Sequence, residues 1–344
     1  MFKDRQAPVQ NEISRNTPLS ELSTRWFEEI ENAGRAGRRT IDGYHDTYRR
    51  VIEPALSGLR LHELTTGRLD RFLKNVALDH PATARHAKIV LTGVIGLAVR
   101  QDALRSNPMR DVGPIKLSER NVRALTLKDV QELRRIIGRW ESDPEHQGRP
   151  RASDLLEVLD IFLATGARIG EVLAIQWRDI NLKSEPVTIT ISGTVVQEKG
   201  RGAYRQGHPK TKAGFRTVKL PRFAADMLKR KFAEEHPQPE GMLFPSSTGT
   251  VRSPHNFRRQ WRDARSGSVY EWVTPHVFRK TVATLIDREY SSKHAAAQLG
   301  HSGTAITEKH YIEKATESPD MTDVLEKFGL AGAPDERLGG RAAE

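Results

Sequence analysis

Apolar positions recur at helical spacing through the first third of the chain. Leu19, Leu22, Trp26, Phe27 and Ile30 share one face of a segment opened by Thr17-Pro18, which reads as an N-cap followed by proline in the first helical position. A second helical stretch starts near Thr40 and runs through Tyr44, Tyr48 and Val51 to a break at Pro54. A third covers 66–76, with Leu69, Phe72 and Leu73 apolar. A fourth covers 81–98 and is expected to bury Ile89, Val90, Val94, Ile95 and Leu97 before Asn107-Pro108 stops the pattern. Four helices of this size can enclose a small core, so 17–112 reads as an all-helical domain behind a flexible N-terminus, 1–16.

Residues 113–125 hold Gly113-Pro114 and mixed charges without a long period, and read as a linker. Beyond it Thr126 caps a helix carrying Val130, Leu133, Ile136 and Ile137. A more apolar helix covers 153–164, and another is expected over 169–177. A period of two in 187–191 signals a strand, and strand character resumes at 215–220. Between them Gly193, Gly200, Gly202, Gly207 and Gly214 punctuate the chain, which predicts a small β-meander or hairpin inside a helical domain. Helices return at 221–235, 253–265, 274–290, 293–299 and 304–312. An amphipathic piece, 321–330, closes this second domain (126–330) ahead of a flexible tail, 331–344.

Charge adds direction to this picture. The 344 residues carry 55 Lys+Arg against 44 Asp+Glu, a net +11, which favours a polyanionic partner such as nucleic acid. The basicity is spread over folded surface rather than held in a tail. Arg38, Arg39, Arg49, Arg50, Arg85 and Lys88 on the polar faces of the first domain are candidate DNA-backbone contacts, with ordinary solvated charge as the alternative. Cysteine is absent, which excludes disulfides and thiolate chemistry and fits a reducing cytoplasm. The N-terminus has no apolar core behind its charges, and no apolar run approaches the length of a membrane span, so neither secretion nor a membrane is expected.

Four segments of the second domain carry chemistry. They are Ala164-Thr165-Gly166-Ala167-Arg168-Ile169-Gly170-Glu171, Pro209-Lys210-Thr211-Lys212-Ala213-Gly214-Phe215-Arg216-Thr217-Val218, Thr274-Pro275-His276-Val277-Phe278-Arg279-Lys280-Thr281, and Leu299-Gly300-His301-Ser302 with Tyr311 ten residues after its histidine. Phosphoryl transfer asks for these residue types. A pentacoordinate phosphorus concentrates negative charge on non-bridging oxygens, and the planar guanidinium fork of arginine matches such oxygens. A tyrosine is protonated at neutral pH and needs a proton acceptor or a positive field to attack, which His276 and His301 could supply, or they could simply hold the phosphate. Glu171, three residues past Arg168, can meet it on one helical face and orient it, or be a plain surface acid. The helix opened by Thr274-Pro275 places His276 and Arg279 near an N-terminus that favours phosphate.

In this order the four segments resemble the catalytic set of the tyrosine recombinases, the phage-integrase family, over about 126–312. The resemblance implies that Arg168 and Arg279 are the paired arginines, His276 and His301 the two histidines, Glu171 the supporting carboxylate and Tyr311 the nucleophile. It implies Lys210 as the hairpin lysine. Lys212 lies on the same segment, but the pattern K-T-x-x-S-x-R-T-V selects Lys210, with Gly214 where serine is common. The implied fold is mainly α with a small β-meander or hairpin, a helical core-binding domain followed by a tyrosine-recombinase catalytic domain. The implied activity is site-specific DNA recombination (integration) through a 3′-phosphotyrosyl intermediate, with no metal, no ATP and no cofactor. Partners would be double-stranded attachment sites on a phage or mobile element and further copies of the chain. It would be a monomer when free and a tetrameric synapse on DNA, open to an accessory or directionality protein in a bacterial, nucleoid-associated setting. With about 16 residues before the first helix, the expectation is a recombinase reading core sites alone, and 321–330 is expected to dock on a neighbouring protomer or pack on its own. The rivals are a type IB topoisomerase that relaxes DNA and a DNA-binding protein with a degenerate site. Against the second, all seven expected positions are filled.

Overall fold

The chain divides into two compact units, Met1–Arg120 and Asn121–Glu344. In this computed structural model the described residues are 12–34, 36–116, 122–143, 154–198, 200–208 and 212–313. Lys210, the 321–330 piece, the 331–344 tail and most of the 1–16 segment lie outside them.

The first unit is helical: α1 (Leu19–Ala33), α2 (Arg38–Thr47), α3 (Glu53–Leu56), α4 (Thr66–Asp79) and α5 (Pro81–Arg100). Its core gathers Leu19, Leu22, Trp26 and Phe27 of α1, Leu69 and Leu73 of α4, and Val90, Leu91, Val94 and Ile95 of α5. Several sequence expectations are corrected here. The residue at the cap of α1 is Pro18, and the Thr17 hydroxyl instead accepts the Ser14 N–H at 2.9 Å. Pro54 does not break its helix: a π-helical turn, Tyr48–Ile52, carries the chain into α3, where proline occupies the first turn and its missing N–H leaves no gap. Ile89 is 48% exposed, because it lies on the side of α5 that lines an open groove with Arg85, Lys88, Thr92, Pro114 and Ile115. By length and composition α5 could cross a membrane, yet eight of its residues are buried within this unit.

The second unit wraps helices around two small sheets. α6 (Leu127–Glu141) opens on Thr126, whose hydroxyl accepts the Asp129 N–H while Asp129 accepts the Thr126 N–H, a reciprocal capping box. α7 (Leu155–Thr165) leads to α8 (Ile169–Val172), a single turn instead of the expected 169–177 helix. Val172, Leu173, Ala174 and Ile175 are all buried, so this stretch has no polar face for a surface helix to show, and it crosses the core instead. Strands β1 (Ile180–Asn181), β2 (Thr188–Ile191) and β5 (Arg216–Lys219) form an antiparallel sheet in the order β1-β2-β5. The glycine-punctuated stretch between β2 and β5 is a second antiparallel pair, β3 (Thr194–Glu198) with β4 (Gly202–Gln206). Then come α9 (Arg222–Glu235), α10 (Pro254–Asp263), α11 (Pro275–Glu289), α12 (Ser292–Leu299) and α13 (Thr304–His310). Phe162 of α7, Phe257 and Trp261 of α10 and Phe278 of α11 stack as an aromatic cluster, which fixes α11 against α7.

Candidate active site

The first wall of the site is the turn between α7 and α8. Gly166 ends α7 in the left-handed region, φ 63°, and a Cβ there would lie 2.7 Å from Leu299 Cδ2, so the turn requires glycine twice over. The reversal delivers Arg168 to the N-cap of α8. The Glu171 carboxylate accepts the Arg168 backbone N–H at 3.0 Å and its Nη1–H at 2.8 Å. Glu171 is buried, whereas the Arg168 side chain is 43% exposed: the acid holds Nη1 of the guanidinium while much of the side chain stays open to solvent. Behind Glu171 lies Arg216 of β5, which the sequence reading placed only in a strand. Its guanidinium donates to the carbonyls of Gln298 (2.9 Å) and Gly214 (3.0 Å) and to the Glu171 carboxylate (3.3 Å). One buried cation therefore ties β5, the end of α12 and the Arg168 turn together.

The second wall is α11 with the segment from α12 to α13. Arg279 of α11 is fully buried and donates to the carbonyls of Gly166 (2.8 Å) and Leu299 (2.7 Å), which binds it to both motif turns. Gly300 reverses the chain at φ 68°, where a Cβ would meet the Ala213 carbonyl oxygen at 2.7 Å, and brings His301 inward. Arg279 Nη2 lies 2.8 Å from His301 Nε2. A guanidinium can only donate, so Nε2 is the bare nitrogen; Nδ1 carries the proton and donates to the Thr307 hydroxyl at 2.7 Å. The Tyr311 ring is buried within this frame, with ring centroids 4.8 Å from His301 and 5.1 Å from His276, and the Arg279 guanidinium 5.2 Å from its centre.

This arrangement can be set beside known proteins. A model of the phage integrase family matches residues 125–318, more than half of the chain. The chain belongs to the phage integrase family. It is 26% identical over 301 residues to an integrase of Streptomyces ambofaciens, spanning 81% of this chain and 72% of that protein. It is 21% identical over 320 residues to a XerC-like tyrosine recombinase of Caldanaerobacter subterraneus subsp. tengcongensis, covering 85% of this chain and 78% of the relative. Among solved structures, the Tn1549 transposon integrase in complex with transposon right end DNA aligns with a TM-score of 0.70 at 19% identity, covering 92% of this chain and all of that one. A lambda integrase tetramer bound to a Holliday junction aligns at 0.63 and 18% identity, covering 89% and 80%. The mainly helical, two-domain fold is that of the tyrosine recombinase integrases.

Electrostatics distinguish the members of this integrase site. Burial works against ionisation of Glu171, but the Arg216 and Arg168 charges and the Arg168 hydrogen bonds outweigh it and hold the carboxyl below its ordinary value. Burial together with the Arg279, Arg168 and Arg216 charges pushes His301 down to about 4. Loss of hydration and the Lys280, Arg279 and Arg168 charges likewise push His276 below the usual histidine range, although the residue is exposed. Both histidines are thus neutral near pH 7. Arg279 is lowered to about 10 by burial and the neighbouring Arg168, and it stays a cation.

The structure brings Arg168, Glu171, His276, Arg279, His301 and Tyr311 into one array; Lys210 lies outside the described residues. Among those residues, no group of three or more His, Cys, Asp or Glu could hold a metal ion. The basic residues named earlier belong to the first compact unit and are described within it. Arg38 pairs with Asp42 at 3.2 Å and Arg50 lies 4.0 Å from Asp46, both exposed, while Arg39, Arg49 and Arg85 are exposed as well. Lys88 has a structural engagement, donating to the carbonyls of Val112 (2.8 Å) and Gly113 (3.1 Å). Arg216 and Thr307 were missed by sequence reasoning. Arg216 stands inside the quoted R-T-V string, and that string is the signal that could have found it.

Proposed function

We propose that this chain is a site-specific DNA recombinase in which Tyr311 attacks a phosphodiester and Arg168, Arg279, His276 and His301 hold the phosphate. The observation that carries this reading is the Tyr311 ring buried against two neutral imidazoles and the Arg279 guanidinium. The Tyr311 oxygen forms a bond to phosphorus as the bond to the 5′ oxygen breaks, leaving a 3′-phosphotyrosyl ester and a 5′ hydroxyl. The phenol proton passes to a neutral imidazole or to water, and Lys210 donates a proton to the departing oxygen. The ester conserves the energy of the broken bond. A 5′ hydroxyl from a second duplex can reverse the attack, so the cycle needs no ATP.

The half-exposed Arg168 side chain and the Arg279 Nε–H, buried without a partner, are the donors offered to the non-bridging oxygens. Further copies of the chain assemble as a tetramer on paired core sites, and Arg38, Arg39, Arg49, Arg50 and Arg85 of the first unit contact the DNA backbone. Neutralising roughly six to ten phosphates would give a log–log salt slope of about −0.9 per phosphate. A suicide substrate that loses its 5′ hydroxyl after cleavage tests the reading. Wild type should accumulate an SDS-resistant adduct and Tyr311→Phe none; no adduct with wild type, or an undiminished one with Tyr311→Phe, rejects it. Joining of two different duplexes distinguishes recombination from relaxation of supercoils.

A further inference from the structure

The main chain bearing Tyr311 has few apolar anchors. α13 buries only Thr307, and Tyr311 follows at its C-terminal end. Polar groups of α11 hold it instead. The buried Thr284 hydroxyl donates to the Tyr311 carbonyl at 3.3 Å and accepts the Glu313 N–H at 3.0 Å. Three residues earlier on α11, the buried Thr281 hydroxyl accepts the Leu125 N–H at 3.0 Å while donating to the Val277 carbonyl. The Glu313 carboxylate closes the set: one oxygen accepts the Ala124 N–H at 3.2 Å and the other a proton from Arg288 Nη2 at 3.1 Å. Ala124 and Leu125 are the residues through which the chain passes from the inter-unit linker into α6. The incoming linker and the outgoing nucleophile segment are therefore fastened to each other and to one face of one helix.

We infer that Glu313 is a positioning residue that couples the linker to the nucleophile. The inference rests on Tyr311 being the attacking group. A displacement of Ala124 along the chain is passed through the Glu313 carboxylate to a residue two positions from Tyr311, while Thr284 holds the Tyr311 carbonyl as the pivot. In-line attack tolerates little error, since a misplacement of about 1 Å can cost on the order of 100-fold in rate. A linker seated correctly keeps the tyrosine aligned; a linker out of place draws it off. Arg288 turns the Glu313 carboxylate toward α11, so the connection runs through polar contacts rather than the aliphatic packing of α13.

The test uses the full chain with a suicide substrate under single-turnover conditions. Adduct formation by wild type and its loss in Tyr311→Phe come first, and failure there rejects the nucleophile assignment, not the coupling. Glu313 is partly exposed, so Glu313→Ala should fold; it is expected to slow adduct formation about five- to twentyfold with DNA affinity within about twofold of wild type. Glu313→Gln, which keeps a carbonyl acceptor for Ala124, should recover most of the rate. A Gly-Ser insertion between Lys116 and Leu117 should slow wild type but add little to Glu313→Ala, because the route by which the linker acts is already cut. Wild-type cleavage by Glu313→Ala, or slowing by the insertion that multiplies in full with that of Glu313→Ala, overturns the inference. So does Thr284→Val that melts as wild type and cleaves at the wild-type rate.

Discussion

Arg216→Lys is the substitution that most directly probes how the site is held. The Arg216 side chain is 9% exposed and its guanidinium reaches three acceptors in different directions, at 2.9, 3.0 and 3.3 Å. An ammonium keeps the charge but is a single point, so it can satisfy one of these acceptors well and leaves the others short. Hydrogen bonds to charged groups contribute about 1.5–3 kcal/mol each, and lysine recovers part of the loss, so a net destabilisation of roughly 2–3 kcal/mol is expected. For a unit of this size that lowers Tm by roughly 5–10 °C. The chemistry should move too. With the cation drawn away, buried Glu171 loses the strongest of the charges that keep it ionised, and its pKa rises. Arg168 is then less firmly oriented at mildly acidic pH, and the acidic limb of the cleavage profile shifts upward. Thermal melts and single-turnover cleavage from pH 5 to about 8 measure both effects. Arg168→Lys is the contrast: its side chain is half-exposed, so cleavage should fall while Tm hardly changes. A wild-type Tm and an unshifted pH profile for Arg216→Lys would refute the reasoning.

Other predictions address charge and folding. His301, held to about 4 against an ordinary 6.5, stays neutral in the folded protein while the unfolded chain takes up a proton, so stability should decline as pH falls from 6.5 toward 4 and level off below. NMR titration of the ring protons checks this, and a folded-state midpoint near 6.5 contradicts it. Burial, only partly offset by the Leu155 and Leu156 N–H groups, raises Glu141 from 4.5 to about 7, so stability is lost as pH rises through that window. Glu141→Gln should raise Tm by about 2–4 °C at pH 8, allowing for solvent screening, and change little at pH 4; melts that shift equally at both pH values argue against it. Lys210→Ala should cleave slowly yet be rescued by a 5′-thiol leaving group, which needs no proton, and equal slowing with both leaving groups rejects the general-acid role. Gly300→Ala should cost more than half of the soluble yield, because its Cβ would meet the Ala213 carbonyl at 2.7 Å in a left-handed turn, and normal expression with normal Tm denies that crowding.

The parts of the molecule legible in the sequence are those specified by neighbours along the chain. The Thr126 capping box needs only Asp129, and the T-G-A-R string needs only a left-handed glycine to place Arg168 at a helix start. Features set by distant contacts escaped. Arg216 sits 45 residues from Glu171 and 82 from Gln298, so apart from the R-T-V string its strand context shows nothing of the contacts it makes. Lys88 reads as surface charge because the carbonyls it binds lie 24 and 25 residues on. Ile89 belongs to an apolar run that a helical wheel places inward, yet the run is wider than the core it meets. The short α8 failed for the opposite reason: its apolar residues leave the helix because they are wanted by the core on every side.

The site's charge pattern explains why substrate and nucleophile can be served by one set of groups. Two guanidiniums, those of Arg168 and Arg216, converge on the Glu171 carboxylate, and Arg279 is fully buried with its Nε–H unpartnered. Leaving such a donor unmade costs about 1–3 kcal/mol, which a phosphate oxygen would return on binding. Until then the Arg279 charge faces the Tyr311 ring at 5.2 Å, a position that also favours a developing phenolate. The same cations depress His276 and His301, so in the free protein neither imidazole is a strong base. A phosphate arriving between the arginines offsets part of that positive field and raises the affinity of both imidazoles for a proton. With an anion between the arginines, His301 Nε2, bare and bound to Arg279, would take up a proton more readily than in the free protein.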